Sequence, residues 1–304
     1  MVIALFGDHI LSKISFIEHY LDQFIFHQLM HKHHRYFFKI EKKIFIVTTN
    51  DSNIFSQEDT KLILSQLGIN NQLLFTQNVE HFTNKEGPKR DQIVENYFGK
   101  EGMRILISEI NKSIQLNPKN SLIDLGVGTG TFLLPILKES SLSEILCFDA
   151  TPKMLELLLM KITNDLEKIP KIHLVIGDME QITRSLEVNN NIRKLKIPTK
   201  VDRIISSLAL HHVQSTSKVL KGIAEILEKN GKAVIVDAIH SDTSGMVPSP
   251  EHAHDGFKFE ELENLALEIF KSVNVKELEV KCNDPTCPSR GTGLFLMELS
   301  DPIR

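Results

Sequence analysis

Residues 122–130 read Leu-Ile-Asp-Leu-Gly-Val-Gly-Thr-Gly, and an apolar run from Thr131 to Leu137 follows at once. Gly126, Gly128 and Gly130 fall on alternate positions, where the missing Cβ lets the backbone turn tightly and approach a ligand closely. A helix starting directly after such a turn presents unpaired N–H groups to whatever binds there. Two more carboxylates recur behind short apolar runs: Asp149 after Glu144–Phe148, and Asp178 after Ile172–Ile176 and Gly177. At the end of a strand, Asp149 can accept two hydrogen bonds from a ribose diol. Asp178, one strand further, can meet an adenine edge or cap the helix behind it. Turn and acids together describe an adenosine pocket.

The elements that must hold these groups follow from the hydrophobic pattern. Leu122–Asp124, Glu144–Phe148, Ile172–Ile176, Val201–Ser206 and Ala233–Val236 are apolar runs of strand length. Thr131–Lys138, Pro152–Glu167 and Thr216–Glu228 have helical spacing, and Asn230-Gly231 is a stop signal after the last. Strands alternating with helices pair in parallel through right-handed crossovers, with ligands at the carboxyl ends of the strands. The acids, Asp237 included, sit at those ends. Glu260–Phe270 is then expected as a helix, with Ser272–Lys281 and Gly293–Leu299 as strands around the turn-rich Asn283–Gly291. Ahead of the glycine turn, Gln92–Ile114 reads as a helix interrupted at Gly99 and Gly102.

A dinucleotide is the competing ligand. Its fingerprint spaces glycines as G-x-G-x-x-G, whereas here every second residue is glycine and Asp124 precedes the first. An acid beside the loop repels a pyrophosphate and suits a ligand carrying an ammonium and a sulfonium, which is S-adenosylmethionine. On these residues the chain resembles the class I S-adenosylmethionine-dependent methyltransferases, with a quinone or small-molecule methyltransferase character, from about Gln92 onward. Asp124–Gly130 is similar to their first motif and Asp149 with Thr151-Pro152-Lys153-Met154-Leu155 to the acidic motif that follows. Gly177-Asp178-Met179-Glu180 is similar to the adenine-side acid segment, and Ser206-Ser207-Leu208-Ala209-Leu210-His211-His212 to the segment after the fourth strand. The resemblance implies an α/β fold, doubly wound and Rossmann-like, whose mostly parallel seven-stranded sheet ends in a reversed hairpin. It implies S-adenosylmethionine as cofactor, held by Asp124, Gly126, Gly128, Gly130, Asp149, Ala150, Met154, Asp178, Met179 and Ser207.

The sulfonium makes the methyl electrophilic, so the protein must chiefly align a nucleophile with the S–CH3 bond and exclude water. Where a base is required, His211 and His212 are the candidates for catalysis, followed by Asp237, His240, His252, His254 and Asp255. The plain alternative for the His211-His212 pair is structural packing. Ser241–Lys258 is long enough to cover an acceptor, or else is a solvated loop. In the family, methylation of base or glutamine amines accompanies an Asn/Asp-Pro-Pro-aromatic motif after the fourth strand, and Ser206-Ser207-Leu208-Ala209 stands there instead. The expectation is therefore a small-molecule, quinone-like C- or O-acceptor. An RNA or protein methyltransferase, and a cofactor-binding sensor or non-catalytic partner subunit, are the alternatives.

The whole chain sets outer bounds. Its 304 residues, 41% hydrophobic and 24% charged, suit two globular domains, and a net charge of −4 gives no general reason to expect nucleic acid or anionic membrane as partner. No apolar run approaches the roughly 18 residues of a membrane span, no signal peptide opens the chain, and three cysteines form no disulfide framework; a cytoplasmic protein is expected. Gly87-Pro88 amid charges marks a linker, dividing an accessory α/β domain at 1–88 from a methyltransferase domain at 89–304. In the first, Val2–Phe6, Lys43–Thr48 and Leu73–Phe75 are expected as strands and Ile10–Met30 and Ser56–Gly68 as helices. Four histidines between His27 and His34 could bind a transition metal but read better as a solvated basic face, and Cys282 and Cys287 as incidental. No metal site is expected.

Overall fold

The computed structural model describes residues 26–30, 33–40, 43–48, 55–69, 72–166, 169–240, 252–282, 284 and 291–303, the first three stretches as backbone strands only. Chain contacts divide the protein into two compact units, residues 1–56 with 159–169, and residues 57–158 with 170–304.

The first unit contains a three-stranded antiparallel sheet of β1 (Phe26–Met30), β2 (His33–Ile40) and β3 (Lys43–Thr48), in that order. The expected β3 is present, whereas the expected helix over Ile10–Met30 is overturned at its end. Phe26–Met30 is a strand in register with His33–Phe37. Pairing across two residues satisfies the backbone where local helical spacing predicts an isolated helix. Val2–Phe6 and residues 10–25 lie outside the described residues, as do the side chains of the His27–His34 cluster.

The second unit is built on one sheet. In chain order it comprises α1 (Gln57–Gln66), α2 (Leu73–His81), α3 (Arg90–Ile114), β4 (Ser121–Leu125), α4 (Leu133–Glu139), β5 (Glu144–Asp149) and the first part of α5 (Pro152–Asp165), whose residues from Leu159 count with the first unit. Then come β6 (Lys171–Ile176), α6 (Ile182–Arg193), β7 (Val201–Ser207), α7 (Thr216–Ile226), β8 (Leu227–Ala238), α8 (Phe259–Leu267), β9 (Phe270–Lys281) and β10 (Gly293–Pro302). The sheet order is β6-β5-β4-β7-β8-β10-β9, with β10 antiparallel to both neighbours and the other pairings parallel. This is the doubly wound, mostly parallel sheet with a reversed hairpin that the sequence predicts. The order reverses at β4, which puts a crevice at the carboxyl ends of β4, β5 and β7.

Burial explains the strands. β4 to β8 run through a core in which Ile123, Leu125, Leu146, Phe148, Val175, Ile204 and Ile235 lie against Phe295 and Met297 of β10. Each fully buried aliphatic or aromatic side chain contributes about 1.5–3 kcal/mol relative to exposure. Helix α7 begins at Ser215, whose side-chain oxygen accepts from Lys218 N, and buries Val219, Leu220, Ile223 and Ile226 along one face.

Four elements differ from the sequence reading. Leu73–Phe75, expected as a strand, opens helix α2, and Leu74 and Phe75 line a cleft instead of pairing in a sheet. Asn84–Arg90, expected as a linker around Gly87-Pro88, is instead taken up by a π-turn (Phe82–Glu86) and a 3-10 turn (Gly87–Lys89) that run straight into α3. Within α3 only Gly99 leaves helical geometry, at φ 66° and ψ 170°, while Gly102 stays helical with Val280 packed against it. Helix α6 is not signalled by apolar spacing because polar groups hold it. Asn189 donates to Ile176 O at 2.7 Å, and Arg193 Nη1 donates to Leu174 O at 2.5 Å, both buried.

Candidate functional site

The glycine turn leaves β4 and stays tied to β5. Gly126 N and Val127 N both donate to Phe148 O, at 2.9 and 3.1 Å, and Gly130 N donates to Val127 O at 2.9 Å. Gly126 has φ 74°, and a Cβ there would lie 2.4 Å from the Ala209 Cβ. Gly130 has φ 77°, and a Cβ there would meet Leu158 Cδ1 at 2.4 Å. Both positions therefore exclude any side chain, for reasons of conformation and of space. Thr129 and Thr131 donate through their hydroxyls to Asp91 Oδ1 at 2.8 and 2.6 Å, which fastens the turn to the first turn of α3.

The acids stand where the strands end. Asp149 closes β5 with Oδ2 accepting from Gly128 N and Oδ1 from Thr151 N, each at 2.8 Å. Burial raises its carboxyl above the ordinary range although those N–H groups pull the other way. Asp178 follows β6, with Oδ1 accepting from Glu180 N at 2.8 Å and Oδ2 from Gln181 Nε2 at 3.0 Å, and burial raises it too. Asp124 lies within β4, 3% exposed, and burial with the nearby charge of Asp149 pushes it well above the usual carboxylate range.

A cleft of about 1030 Å3, counting the part open to solvent, joins these groups. Of the predicted cofactor residues, Gly126, Gly128, Asp149, Ala150, Met154, Asp178, Met179 and Ser207 line it, whereas Asp124 and Gly130 do not. His212 lines it, and His211 is beside it, its ring 4.1 Å from that of His212. His211 Nδ1 donates to Asp237 Oδ1 at 2.7 Å and His211 N to Oδ2 at 3.1 Å. Burial works to raise the Asp237 carboxyl, but His211 and the N–H donors outweigh it and hold the group below its ordinary value.

His252 joins this pair, its ring 4.6 Å from His211 and 5.0 Å from His212. The backbone fixes it there, since Ala253 N and His254 N both donate to His211 O, at 2.9 and 3.1 Å. His240 instead donates to Asp255 O, and His254 packs on Phe257. Of the expected covering segment, residues 241–251 lie outside the described residues. Cys282, read from the sequence as incidental, is instead disulfide-bonded; Cys147 is free and buried, and Cys287 lies outside the described residues.

Sequence reasoning missed one wall of the cleft. Gln72, Leu74, Phe75, Asn78, Phe82, Arg90 and Val94 line it from α2 and the start of α3. Asn78 Nδ2 donates to His212 O at 3.3 Å, Phe82 meets the His212 ring edge to face at 5.2 Å, and the Arg90 guanidinium lies 5.4 Å from the Phe82 ring. No motif flags these residues, because their role comes from folding back over the turn rather than from local spacing.

Comparison with known proteins bears on this geometry. A family model described as a methyltransferase domain matches residues 116–277. A search of curated proteins finds no match to the sequence. Among solved structures, the magnesium protoporphyrin IX methyltransferase of Synechocystis PCC 6803, with bound S-adenosylhomocysteine, superposes with a TM-score of 0.54 at 13% identity. That match covers 75% of this chain and 100% of the other. Phosphoethanolamine N-methyltransferase 2 of Haemonchus contortus, in complex with phosphomonomethylethanolamine and S-adenosylhomocysteine, gives 0.51 at 13% identity, covering 96% of this chain and 74% of the other. A Haloferax volcanii complex of the Trm112 methyltransferase activator with a methyltransferase gives 0.50 at 15% identity over 74% and 98%. At these identities the superpositions establish the shared fold. Among the described residues, no helix is long and apolar enough to cross a membrane.

Proposed function

The chain belongs to the methyltransferase-domain family, as a class I S-adenosylmethionine-dependent methyltransferase, and from that premise we propose that it methylates a small organic molecule in the cleft between the glycine turn and the histidine pair. The observation that carries this reading is the cleft itself. It runs unbroken from the strand-end acids to His212 and is walled by the chain's own α2.

In this reading Asp149 holds the ribose. Each of its oxygens accepts one backbone N–H and retains a lone pair for a hydroxyl. Asp178 takes the exocyclic amine of adenine, between Ala150, Met154 and Met179, and Gly126, Gly128 and Ser207 approach the methionine portion. Asp124, behind the loop, supplies negative charge toward the ammonium and sulfonium. Bound there, S-adenosylmethionine supplies an electrophilic methyl. The acceptor enters between Phe75, Phe82, Val213 and His212, an apolar mouth with one imidazole, and His211 and His212 take up or steer the proton that a hydroxyl or acidic carbon releases. Asp237 positions His211.

Calorimetry with S-adenosylmethionine, S-adenosylhomocysteine and NAD tests the cofactor; binding of NAD alone overturns the reading. Labelled cofactor against lysate separated into small molecules, protein and RNA tests the acceptor. Label in the small-molecule fraction is expected; label in protein or RNA alone refutes a small acceptor, and binding without turnover on any fraction indicates a sensor or partner subunit.

A further inference from the structure

We propose that His211, His212 and His252 form a three-histidine zinc site at the acceptor end of the cleft, and that the metal binds the acceptor oxygen. The proposal deepens the methyltransferase reading and rests on it for the acceptor, though not for the ion. One ligand atom from each of the three residues lies within 4.8 Å of the others. Donors in a zinc tetrahedron with Zn–N of about 2.0–2.1 Å stand roughly 3.3 Å apart, so small side-chain rotations close the triangle.

Three features go beyond mere proximity. First, the ligands come from two segments that the backbone locks together, through Ala253 N and His254 N on His211 O. Second, His211 donates its Nδ1 proton to Asp237, a wholly buried carboxylate, which leaves Nε2 as the coordinating atom. A carboxylate on the far nitrogen is the usual outer-shell support of a metal-bound imidazole and increases its basicity. Third, His212 faces the cleft, so the fourth coordination position opens where the acceptor enters. Three imidazoles with one open position is the arrangement of catalytic rather than structural zinc.

The chemistry then narrows the acceptor to a hydroxyl compound. In the metal-loaded protein His211 and His212 are ligands and no longer take up the proton themselves: coordination lowers the pKa of the hydroxyl, whose proton leaves to solvent. The oxygen lone pair forms the new O–CH3 bond as the S–CH3 bond breaks, and its electron pair stays on sulfur. The balance is ROH plus S-adenosylmethionine giving ROCH3, S-adenosylhomocysteine and one proton.

The test titrates Zn2+ alone into the full-length, chelator-treated protein by calorimetry, with S-adenosylmethionine binding measured on the same samples. We expect one equivalent of Zn2+ with a dissociation constant in the micromolar range or tighter. Binding should weaken at least a hundredfold in His252→Ala and about ten- to a hundredfold in Asp237→Asn. Co2+ in place of Zn2+ should give the intense visible absorption of a four-coordinate ion, lost in the same variants. Cofactor affinity certifies that each variant is folded, and His252→Gln substitutes if the alanine variant fails that control. No Zn2+ binding tighter than millimolar, or tight binding indifferent to His252, overturns the site. Absence of cofactor binding to metal-free and metal-loaded protein alike instead counts against the methyltransferase reading, leaving the zinc result to be read separately.

Discussion

At the scale of single residues, the carboxylates of the cleft are held in a state that a cationic ligand relieves. Asp149→Ala should weaken S-adenosylmethionine binding more than tenfold, from the loss of charged hydrogen bonds worth about 1.5–3 kcal/mol. An unchanged calorimetric affinity would remove Asp149 from the ribose. Burial raises Asp124, Asp149 and Asp178, so the folded, ligand-free protein binds more protons than the unfolded chain between about pH 3.9 and their raised values. Their contribution to stability is therefore greatest below the unfolded pKa and is lost as pH rises through the folded values. A sulfonium and an ammonium favour the ionised forms. Cofactor binding should thus release protons, seen as a binding heat that depends on the buffer's ionisation enthalpy, and affinity should fall on acidification at a pH above the ordinary carboxylate range. Asp124→Asn should reduce the proton release. Gly130→Ala adds a methyl 2.4 Å from Leu158 Cδ1 at a φ of 77°, and should cost about 1–3 kcal/mol in thermal or chemical denaturation.

At the scale of elements, legibility in the sequence follows the source of each element's stability. β4 to β8 could be read because a strand buried on both faces is a short apolar run, and the acids and glycines that end it are punctuation. α7 could be read from its one-sided apolar stripe, but its end moved from Glu228 to Ile226 because Leu227 pairs with Val201 in the sheet. α6 could not, since its buried amide and guanidinium bond to strand carbonyls, and that is a tertiary fact. α2 was read as a strand because Leu73-Leu74-Phe75 is apolar without being core; Leu74 and Phe75 line the cleft instead. The glycine turn and strand-end acids of the cleft were thus legible and the α2 wall was not. That wall carries a prediction. Phe82 packs edge to face on His212, and such a contact contributes about 0.5–1.5 kcal/mol, so Phe82→Ala should raise the acceptor KM roughly two- to twelvefold. The dissociation constant for S-adenosylmethionine should move much less, and an equal loss in both would place Phe82 at the cofactor instead.

At the scale of the molecule, the larger unit is one sheet whose chemistry sits on the β4–β5–β7 side and whose closure depends on the far side. β10 lies between β8 and β9, and Phe295, fully buried, reaches Phe257 and Phe259 as well as the central core. Phe295→Ala should cost about 3–5 kcal/mol, and a fall in denaturation midpoint far smaller than that implies would show the core collapsing into the space.

The insertion of β10 also sets an order of events during synthesis. Every residue of the cofactor cleft has left the ribosome by Gln214, yet β8 has no partner on its outer edge until residues 293–302 emerge and slot in antiparallel. From the completion of β8 at Ala238 to the start of β10 at Gly293, about fifty-five residues or some 3–11 s at 5–20 residues per second, the nascent chain carries a nearly finished cleft beside an open, apolar strand edge. Ligand captured in that interval would act on folding itself, stabilising the parallel half of the sheet while the edge waits for its last strand.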